Sequence, residues 1–331
     1  MHAQPFAPTR PALRSTHQIH GSTVQCWTYL AQQPSRGVIL AVHGFRGDHH
    51  GLIRLIEELP AYTVIVPDLP GFGTSTPFGA AAALHDASVP LDEGIPAHDA
   101  VGYGQVIAAL REDLGLDEQT ILLGHSFGSI VASDYLAKYP AHFSQLVLIN
   151  PICEPALEGD QALMSKAAGL YYWAGAILPK KLGEGLLRSR LITDITSLAM
   201  LKSKDPAMRH YVFDQHRRYF SGFTSRATLR EAYGASITQT VRDVAARINN
   251  PTLLVVGEKD ELGSIPAQKA LARSFPRGLM RVIADVGHLI HYEKAPEAAA
   301  LINEFLTTEN PWKPKGMPRI LHTRPSQNLG D

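Results

Sequence analysis

Apolar and polar positions alternate in blocks along the chain, because short aliphatic runs are separated by longer amphipathic segments. The runs have the length and the β-branched content of buried strands, and the segments between them are typical of helices. We predict strands at 38–42, 63–66, 120–123, 145–149, 252–256 and 280–284, and helices at 52–59, 97–114, 129–139, 265–275 and 296–306. Residues 18–20 and 23–29 predict a leading antiparallel hairpin. This order indicates an α/β fold with a mostly parallel, doubly wound sheet and helices on both faces.

The alternation of strands and helices is interrupted once. Residues 153–245 are helical in character and contain no convincing strand, and the strand pattern resumes only after Asn249-Asn250-Pro251. Such a segment is far longer than an ordinary connection between two strands of one sheet. We therefore predict a core formed by residues 1–152 and 246–310, an inserted helical lid at 153–245, and an irregular tail at 311–331.

The segment Gly124-His125-Ser126-Phe127-Gly128 lies between a predicted strand and a predicted helix. A strand that turns directly into a helix at such a segment places its serine on a tight, strained corner, and the flanking glycines leave room for the turn. Ser126 is therefore a candidate nucleophile. The alternative is that Ser126 only caps the helix that follows it.

A serine hydroxyl needs a base, an orienting acid and an anion hole to act as a nucleophile. His288 follows the last predicted strand and is the candidate base, with His291 as the alternative. Asp260 follows the strand at 252–256 and is the candidate acid, with Glu258 and Glu261 as alternatives. Because parallel strands gather functional groups at their carboxyl ends, these side chains are expected to meet.

The turn His43-Gly44-Phe45 directly follows the strand at 38–42. A glycine-containing turn at a strand end exposes backbone N–H groups, and we expect the N–H of Phe45 to be one donor of an oxyanion hole. The second expected donor is the N–H of Phe127, at the start of its helix, where the dipole favours an anion.

Five segments carry this pattern in a fixed order along the chain. They are His43-Gly44-Phe45, Asp68-Leu69-Pro70-Gly71-Phe72-Gly73-Thr74-Ser75, Gly124-His125-Ser126-Phe127-Gly128, Gly257-Glu258-Lys259-Asp260 and Gly287-His288. Together they resemble the α/β-hydrolase fold superfamily in its lid-bearing branch, from about residue 20 to 308. The resemblance implies Ser126 as nucleophile, Asp260 as acid and His288 as base, in the chain order that this family shows. It also implies that His291 makes a structural hydrogen bond instead.

The resemblance implies a serine hydrolase that cleaves a carboxylic ester or a related acyl compound through an acyl-enzyme. The expected substrate is a small molecule with an apolar acyl part, and no metal or organic cofactor is implied. Two alternatives remain open at this point. One is a carbon–carbon bond hydrolase or an acyltransferase with the same three residues, and the other is a non-catalytic small-ligand-binding protein on the same fold.

The composition narrows the range of partners. The chain has 331 residues, of which 45% are hydrophobic and 19% charged, and its net charge is zero. This balance argues neither for nucleic acid nor for an acidic membrane surface as a partner. Cys26 and Cys153 are too few for a disulfide framework, and residues 1–21 lack the apolar run of a signal peptide, so we expect a cytoplasmic protein.

Two further segments are expected to have ordinary structural roles. The longest apolar stretch, 167–178, is too short to cross a bilayer, and we expect it to pack on the protein body and not to contact lipid. Asp48-His49-His50 has the composition of a metal cluster, but no other residue supplies ligands at zinc spacing, so we expect a solvated loop there.

Overall fold

The computed structural model of the protein describes residues 6, 8–32, 34–80, 94–155 and 162–308. Its strands are β1 (Ala12–Ile19), β2 (Ser22–Tyr29), β3 (Val38–Val42), β4 (Thr63–Pro67), β5 (Ile121–His125), β6 (Gln145–Ile149), β7 (Thr252–Gly257) and β8 (Gly278–Ile283). Its α-helices are α1 (Ile53–Glu57), α2 (Ala100–Asp113), α3 (Phe127–Lys138), α4 (Ala162–Ile177), α5 (Lys180–Leu187), α6 (Arg190–Met200), α7 (Pro206–Tyr219), α8 (Arg226–Thr238), α9 (Ile265–Ser274), α10 (Ile290–Glu293) and α11 (Ala295–Thr307). The predicted tail at 311–331 lies outside the described residues.

The eight strands form one sheet in the order β1-β2-β4-β3-β5-β6-β7-β8. Strand β2 pairs antiparallel with β1 and with β4, and the other neighbouring strands pair parallel. The predicted α/β class with a mostly parallel sheet is confirmed. The predicted hairpin is present as well, but its first strand begins earlier, at Ala12.

Both faces of the sheet are covered by helices, as predicted for a doubly wound fold. Strand β5 shows why its sequence is apolar throughout: Leu122 faces one hydrophobic core, whereas Ile121 and Leu123 face the other. Helices α2, α3 and α9 pack against the first core, and α1 and α11 pack against the second. A parallel strand buried on both faces needs apolar residues at every position, so the runs do not alternate with polar residues.

Two helix starts differ from the prediction for local reasons. Helix α2 begins at Ala100 and not at 97, because the side chain of Asp99 accepts a hydrogen bond from the N–H of Gly102 and caps the helix there. Helix α3 begins at Phe127 and not at 129, because β5 continues to His125 and the chain turns in the single residue between them.

Helices α4 to α8 occupy residues 162–238, between β6 and β7. We call this segment the helical insertion. It contributes side chains to the first core, namely Leu187, Phe223, Leu229, Ala232 and Ala235. The structure therefore places helices within the predicted lid interval, while the division of the chain into core and lid stays a prediction. Among the described residues, no helix is both long and apolar enough to cross a membrane.

The apolar stretch at 167–178 forms most of α4, which ends at Ile177, and one further residue. Tyr171 and Tyr172 contact the first core, but Leu170, Trp173 and Ile177 are largely exposed. The helix thus packs on the protein body through its tyrosines, and these three residues lie on the side that faces away from it. A helix can turn only one side toward the core, and α4 turns the side with the tyrosines.

Backbones meet at van der Waals contact where β3, β5 and α3 cross. A Cβ atom added to Gly128 would overlap the carbonyl oxygen of Val42, and a Cβ atom added to Gly124 would overlap the carbonyl oxygen of Gly128. Both glycines are required because the obstacles are main-chain atoms, which cannot rotate away. This crossing fixes the start of α3 relative to the sheet.

We expect Gly128→Ala to lower the free energy of unfolding by about 1–3 kcal/mol, because the added methyl group has no space at the crossing. Gly185→Ala is the matched control: Gly185 also lies in a helix, and nothing lies within 4 Å of its added Cβ. That control should be neutral or stabilising, by up to roughly 1 kcal/mol. Urea unfolding of both variants measures the difference, and equal stabilities would contradict the proposed crowding.

Candidate active site

The candidate residues lie at the carboxyl edge of the sheet, where the strand order reverses. After β3 the chain forms β4 on one side of β3, and it then crosses over to form β5 on the other side of β3. Side chains that follow β3, β5, β7 and β8 can converge at such an edge, because the loops diverge around an opening there.

Ser126 forms the whole turn between β5 and α3. Its φ is 53° and its ψ is −121°, a conformation that residues other than glycine rarely adopt. Its side chain makes no capping hydrogen bond to α3. Instead, Ser126 Oγ lies 2.8 Å from Nε2 of His288. The hydroxyl is thus directed at an imidazole and not at the helix, which argues against a capping role.

His288 connects the serine to a carboxylate. Its Nδ1 lies 2.9 Å from Oδ1 of Asp260, and the two side chains are only 4% and 1% exposed. The N–H of Leu262 donates a second hydrogen bond to the same carboxylate oxygen, at 2.9 Å. An Asp260 carboxylate fixes the proton on Nδ1, so Nε2 is left to accept the hydroxyl proton of Ser126.

The alternative carboxylates are placed elsewhere. Glu258 is exposed and accepts a hydrogen bond from the N–H of Asp285. Glu261 pairs with Lys202 and accepts from the backbone N–H of His288 at 3.4 Å. Of the three acids that the sequence offers, Asp260 is the one bonded to the imidazole ring of His288.

Two opposing effects act on the pKa of His288. Burial alone lowers it, but the charge of Asp260 and its hydrogen bond raise it, and the net pKa lies above the ordinary value for histidine. A raised pKa makes Nε2 a better proton acceptor, and it also means that the ring becomes protonated at a higher pH than an exposed histidine.

Asn150 holds the two loops of this arrangement together, and the sequence analysis assigned it no role. It is fully buried at the end of β6, with a φ of 42°. Its Oδ1 accepts from the N–H of Gly257 at 2.8 Å, and its Nδ2 donates to the carbonyl of Gly287 at 3.1 Å. These glycines precede the segments of Asp260 and His288. An amide at a strand end among aliphatic residues was the available signal.

His291 is buried next to His125, with ring centroids 4.0 Å apart. Within the described part of the chain, Nδ1 of His291 has no hydrogen-bond partner, so the expected structural hydrogen bond is not made by that nitrogen. Burial and the neighbouring histidines hold the pKa of His291 well below its usual value, and burial lowers the pKa of His125 to about 3. Both rings are therefore neutral near His288.

The two expected anion-hole donors flank Ser126. A Cβ atom added to Gly44 would lie 3.2 Å from Cβ of Ser126, so the turn after β3 touches the serine. That turn is closed by a hydrogen bond from the N–H of Gly47 to the carbonyl of Gly44, at 3.0 Å. The N–H of Phe45 takes no part in this hydrogen bond. Phe127 is the first residue of α3, and N–H groups in a first turn have no partner within their helix.

Arg46 ties this turn to the helical insertion, and the sequence analysis assigned it no role. Its side chain is buried, with a backbone φ of 59°. The guanidinium donates to the carbonyls of Leu187, at 2.8 Å, and Phe220, at 3.0 Å, and its central carbon lies 4.4 Å from the ring centre of Phe220. These carbonyls end helices α5 and α7, where a cation is favourable. The residue next to Phe45 is therefore anchored in the insertion.

The Asp48-His49-His50 segment is not the solvated loop that we expected. Asp48 and His49 are buried; His49 donates to Asp68 at 2.8 Å and stacks on Trp27. Ligand atoms of the three residues lie within 4.8 Å of one another. The imidazole of His50 approaches Asp48 at 3.2 Å. These hydrogen bonds within the protein accompany the burial, and they engage Nδ1 of both histidines and Oδ1 of Asp48.

Aromatic side chains lie beside the candidate donor Phe45. Its ring centroid is 5.7 Å from that of Tyr172, 5.9 Å from that of Tyr233 and 6.2 Å from that of Phe72. The first two belong to the insertion, so aromatic side chains of the insertion lie beside the candidate donor. Trp173, the neighbour of Tyr172 in the chain, is 57% exposed and does not join them.

The chain was compared with known proteins. A family model described as the alpha/beta hydrolase fold matches residues 37–295. Lipase 3 of Moraxella sp. (strain TA144) is 23% identical over 275 residues, covering 79% of this chain and 74% of that protein. Monoacylglycerol lipase abhd6-A of Xenopus laevis is 23% identical over 301 residues, covering 87% and 81%. A thermophilic esterase from Thermogutta terrifontis shares the fold, with a TM-score of 0.65 at 22% identity, covering 89% of this chain and 98% of that one.

We expect Asn150→Asp to lower the free energy of unfolding by about 1–3 kcal/mol, since the new oxygen cannot donate to the carbonyl of Gly287 and leaves it unpaired in the interior. Asn303→Asp is the control, because Asn303 lies on the outer surface of α11 and bonds only at 3.3 Å to Arg36. It should change stability by less than about 0.5 kcal/mol. Urea unfolding at pH 7 compares the two, and equal effects would contradict the role given to Asn150.

Proposed function

The chain belongs to the alpha/beta hydrolase fold family, and we propose that it is a serine hydrolase that cleaves carboxylic esters or related acyl compounds. The observation that carries this proposal is the continuous hydrogen-bonded series from Ser126 Oγ through His288 to Asp260, with lengths of 2.8 Å and 2.9 Å. A nucleophile, a base and an orienting acid in this order are what acyl transfer through a covalent intermediate requires.

In the first half of the reaction, Ser126 Oγ attacks the carbonyl carbon of the substrate while Nε2 of His288 takes the hydroxyl proton. Asp260 stabilises the imidazolium without becoming protonated. Collapse of the tetrahedral intermediate breaks the bond to the leaving alcohol, which receives the proton from His288. In the second half, water attacks the acyl-enzyme and its proton passes to His288. Collapse of the second tetrahedral intermediate breaks the bond to Ser126 Oγ, which takes that proton back from His288, and the acid is released.

The negative charge of the tetrahedral oxygen is assigned to the backbone N–H groups of Phe45 and Phe127. Both donors lie beside Ser126, and the second also benefits from the positive end of the α3 dipole. Each such donor contributes about 3–4 kcal/mol of transition-state stabilisation in comparable enzymes. Because the donors are main-chain groups on a crowded turn, they are in place before the charge develops.

An ester with an apolar acyl part fits the surroundings of the serine. The aromatic rings of Phe45, Phe72 and Tyr172 lie together beside the candidate donors and offer an apolar surface. The relatives named as lipases support the same substrate class. We assign the lid role to residues 153–245, because Ser126 and His288 are buried and Arg46 joins the insertion to the turn after β3.

We expect a fluorophosphonate probe to form one covalent adduct with the wild-type protein and none with Ser126→Ala, as measured by intact-protein mass. Ser133→Ala is the matched control. Ser133 is a buried serine of α3, the helix that follows Ser126, and its hydroxyl has no hydrogen-bond partner in the described structure. That variant should be labelled at the wild-type rate. An adduct that persists in Ser126→Ala would exclude Ser126 as the nucleophile, and no adduct on the wild type would favour a binding protein.

The substrate class is tested separately with the wild-type protein. Turnover of p-nitrophenyl esters without turnover of a diketone acid supports ester hydrolysis. The reverse result identifies a carbon–carbon bond hydrolase with the same three residues. Release of the acyl group to an added alcohol in preference to water would identify an acyltransferase.

We expect kcat/KM for a p-nitrophenyl ester to rise with pH through a midpoint above 6.5, because His288 must be neutral to accept a proton and its pKa is raised. In Asp260→Asn this limb should shift to lower pH, since the charge that raises the pKa is gone. The rate should also fall by roughly 10³–10⁴-fold, because an amide in place of the carboxylate no longer fixes the proton on Nδ1 and does not compensate the charge of the imidazolium.

Asp285→Asn is the control for this pH profile. Asp285 lies three residues before His288, is exposed and pairs with Lys259 at 2.6 Å. It should leave both the midpoint and the rate unchanged. An unshifted midpoint in Asp260→Asn would contradict the assignment of Asp260.

A further inference from the structure

Large apolar side chains on the surface are concentrated on one part of the helical insertion. Of the thirteen strongly exposed ones among the described residues, seven lie between residues 170 and 198. They are Leu170, Trp173, Ile177, Leu182, Leu191, Ile195 and Leu198, with exposures of 56–68%. We call them the apolar outer face. Single exposed leucines are ordinary, whereas several large apolar side chains that recur along neighbouring segments of the chain are typical of a surface that binds a partner.

The spacing of these residues places them on one side of each helix. On α4, Leu170 is followed by apolar residues three and seven positions later, and on α6, Leu191 is followed by apolar residues four and seven positions later. Both spacings define a stripe along a helix. Leu182 continues the face on α5, which lies between these two helices in the chain and packs against α4.

Helix α6 differs from an ordinary surface helix, because its buried side carries polar residues and its exposed side carries apolar ones. It buries Thr193 and Ser197, and it exposes Leu191, Ile195 and Leu198. Both buried hydroxyls have partners: Thr193 Oγ1 donates to the carbonyl of Ser189 at 3.2 Å, and Ser197 Oγ bonds the carbonyl of Thr193 and Nδ1 of His216 on α7, each at 2.7 Å. The outward direction of the apolar stripe is thus fixed by a satisfied polar interior side.

Basic residues accompany the apolar outer face. Between residues 170 and 200 there are four cations and two acids. The cations Lys180, Lys181, Arg188 and Arg190 are all exposed. Arg188 also has partners within the protein, because its guanidinium donates to the carbonyls of Ser221 and Phe223, so Lys180, Lys181 and Arg190 are the cations that we assign to a partner. Of the acids, Asp194 is engaged in a two-pronged pair with Arg217, at 2.8 Å for each bond. The uncompensated charge around the face is therefore positive.

We propose that the apolar outer face binds an anionic lipid surface, with its leucines, isoleucines and Trp173 at the boundary of the acyl chains and its cations at the phosphate groups. Apolar helices in the plane of the interface with basic residues beside them match this partner in both chemistries. A second copy of the chain matches it less well, because a twofold interface would bring the same four cations together. The binding is independent of the proposed ester hydrolysis.

The test is co-sedimentation of the full chain with vesicles of diether phosphatidylcholine containing diether phosphatidylglycerol, lipids that offer no ester to cleave. We expect the wild-type protein to bind them. Ile195→Gln combined with Leu198→Gln should lower the partition coefficient by about tenfold or more, because two apolar side chains no longer enter the interface. Lys180→Gln combined with Lys181→Gln should lower binding to the anionic vesicles by about tenfold and leave binding to pure phosphatidylcholine unchanged.

Leu13→Gln combined with Leu30→Gln is the matched control. These leucines are 56% and 54% exposed, and the two substituted residues of α6 are both 56% exposed, but the control leucines lie at the β1–β2 edge of the sheet. The control should bind vesicles like the wild type. All variants should keep the wild-type unfolding midpoint and rate on a soluble p-nitrophenyl ester, which shows that the fold is intact.

Three results overturn the proposal. The wild-type protein stays in the supernatant with anionic vesicles; or the β1–β2 variant loses as much binding as the α6 variant; or light scattering shows a dimer that the α6 variant abolishes, without vesicle binding. The last result assigns the face to a second copy of the chain.

Discussion

The site depends on one crowded crossing, where β5 turns into α3 against the end of β3. Main-chain atoms of Gly128 and Val42 are in contact there, so no side chain fits between the elements. The turn is confined to Ser126, which takes a positive φ that costs of order 1–3 kcal/mol and is held by the packed elements on both sides. The same crossing brings Gly44, the residue before Phe45, against Ser126. The candidate nucleophile and the candidate donors are thus positioned by the backbone, and their geometry does not rest on flexible side chains.

Near that crossing, the three buried histidines differ in whether their imidazole rings can carry a positive charge. The imidazole of His288 can become charged because Asp260 compensates it, whereas His125 and His291 are buried without a carboxylate among their recorded contacts and stay neutral. If either became charged, it would repel the imidazolium that the proposed mechanism forms on His288. Asn150 completes the arrangement with a neutral side chain, since an amide can bond both a donor and an acceptor without adding charge beside the pair.

Features set by neighbours in the chain could be predicted from the sequence, and features set across space could not. The strands, the turn at Ser126 and the order of the five segments are local patterns, and the α/β fold followed from them. The roles of Asn150 and Arg46 depend on loops and helices that lie far away in the chain, so no local pattern indicates them. Burial of His49 depends on Trp27 and Asp68 in the same way. Net charge was uninformative for a related reason: a sum over the chain hides the cations that accompany the outer face of α4 to α6.

The helical insertion contacts the turn after β3 on one side and carries the apolar outer face on another. Its inner side holds the guanidinium of Arg46 through the carbonyls of Leu187 and Phe220, next to Phe45. Hydrogen bonds to a charged group contribute roughly 1.5–3 kcal/mol each to stability. Movement of α5 away from the turn would break the hydrogen bond from Arg46 to Leu187, and water would have to replace it. Helix α5 also carries Leu182 of the outer face, and a surface bound there acts on the helix that holds Arg46. One helix, α5, therefore carries both the carbonyl that holds Arg46 beside the candidate oxyanion donor and an apolar residue of the outer face.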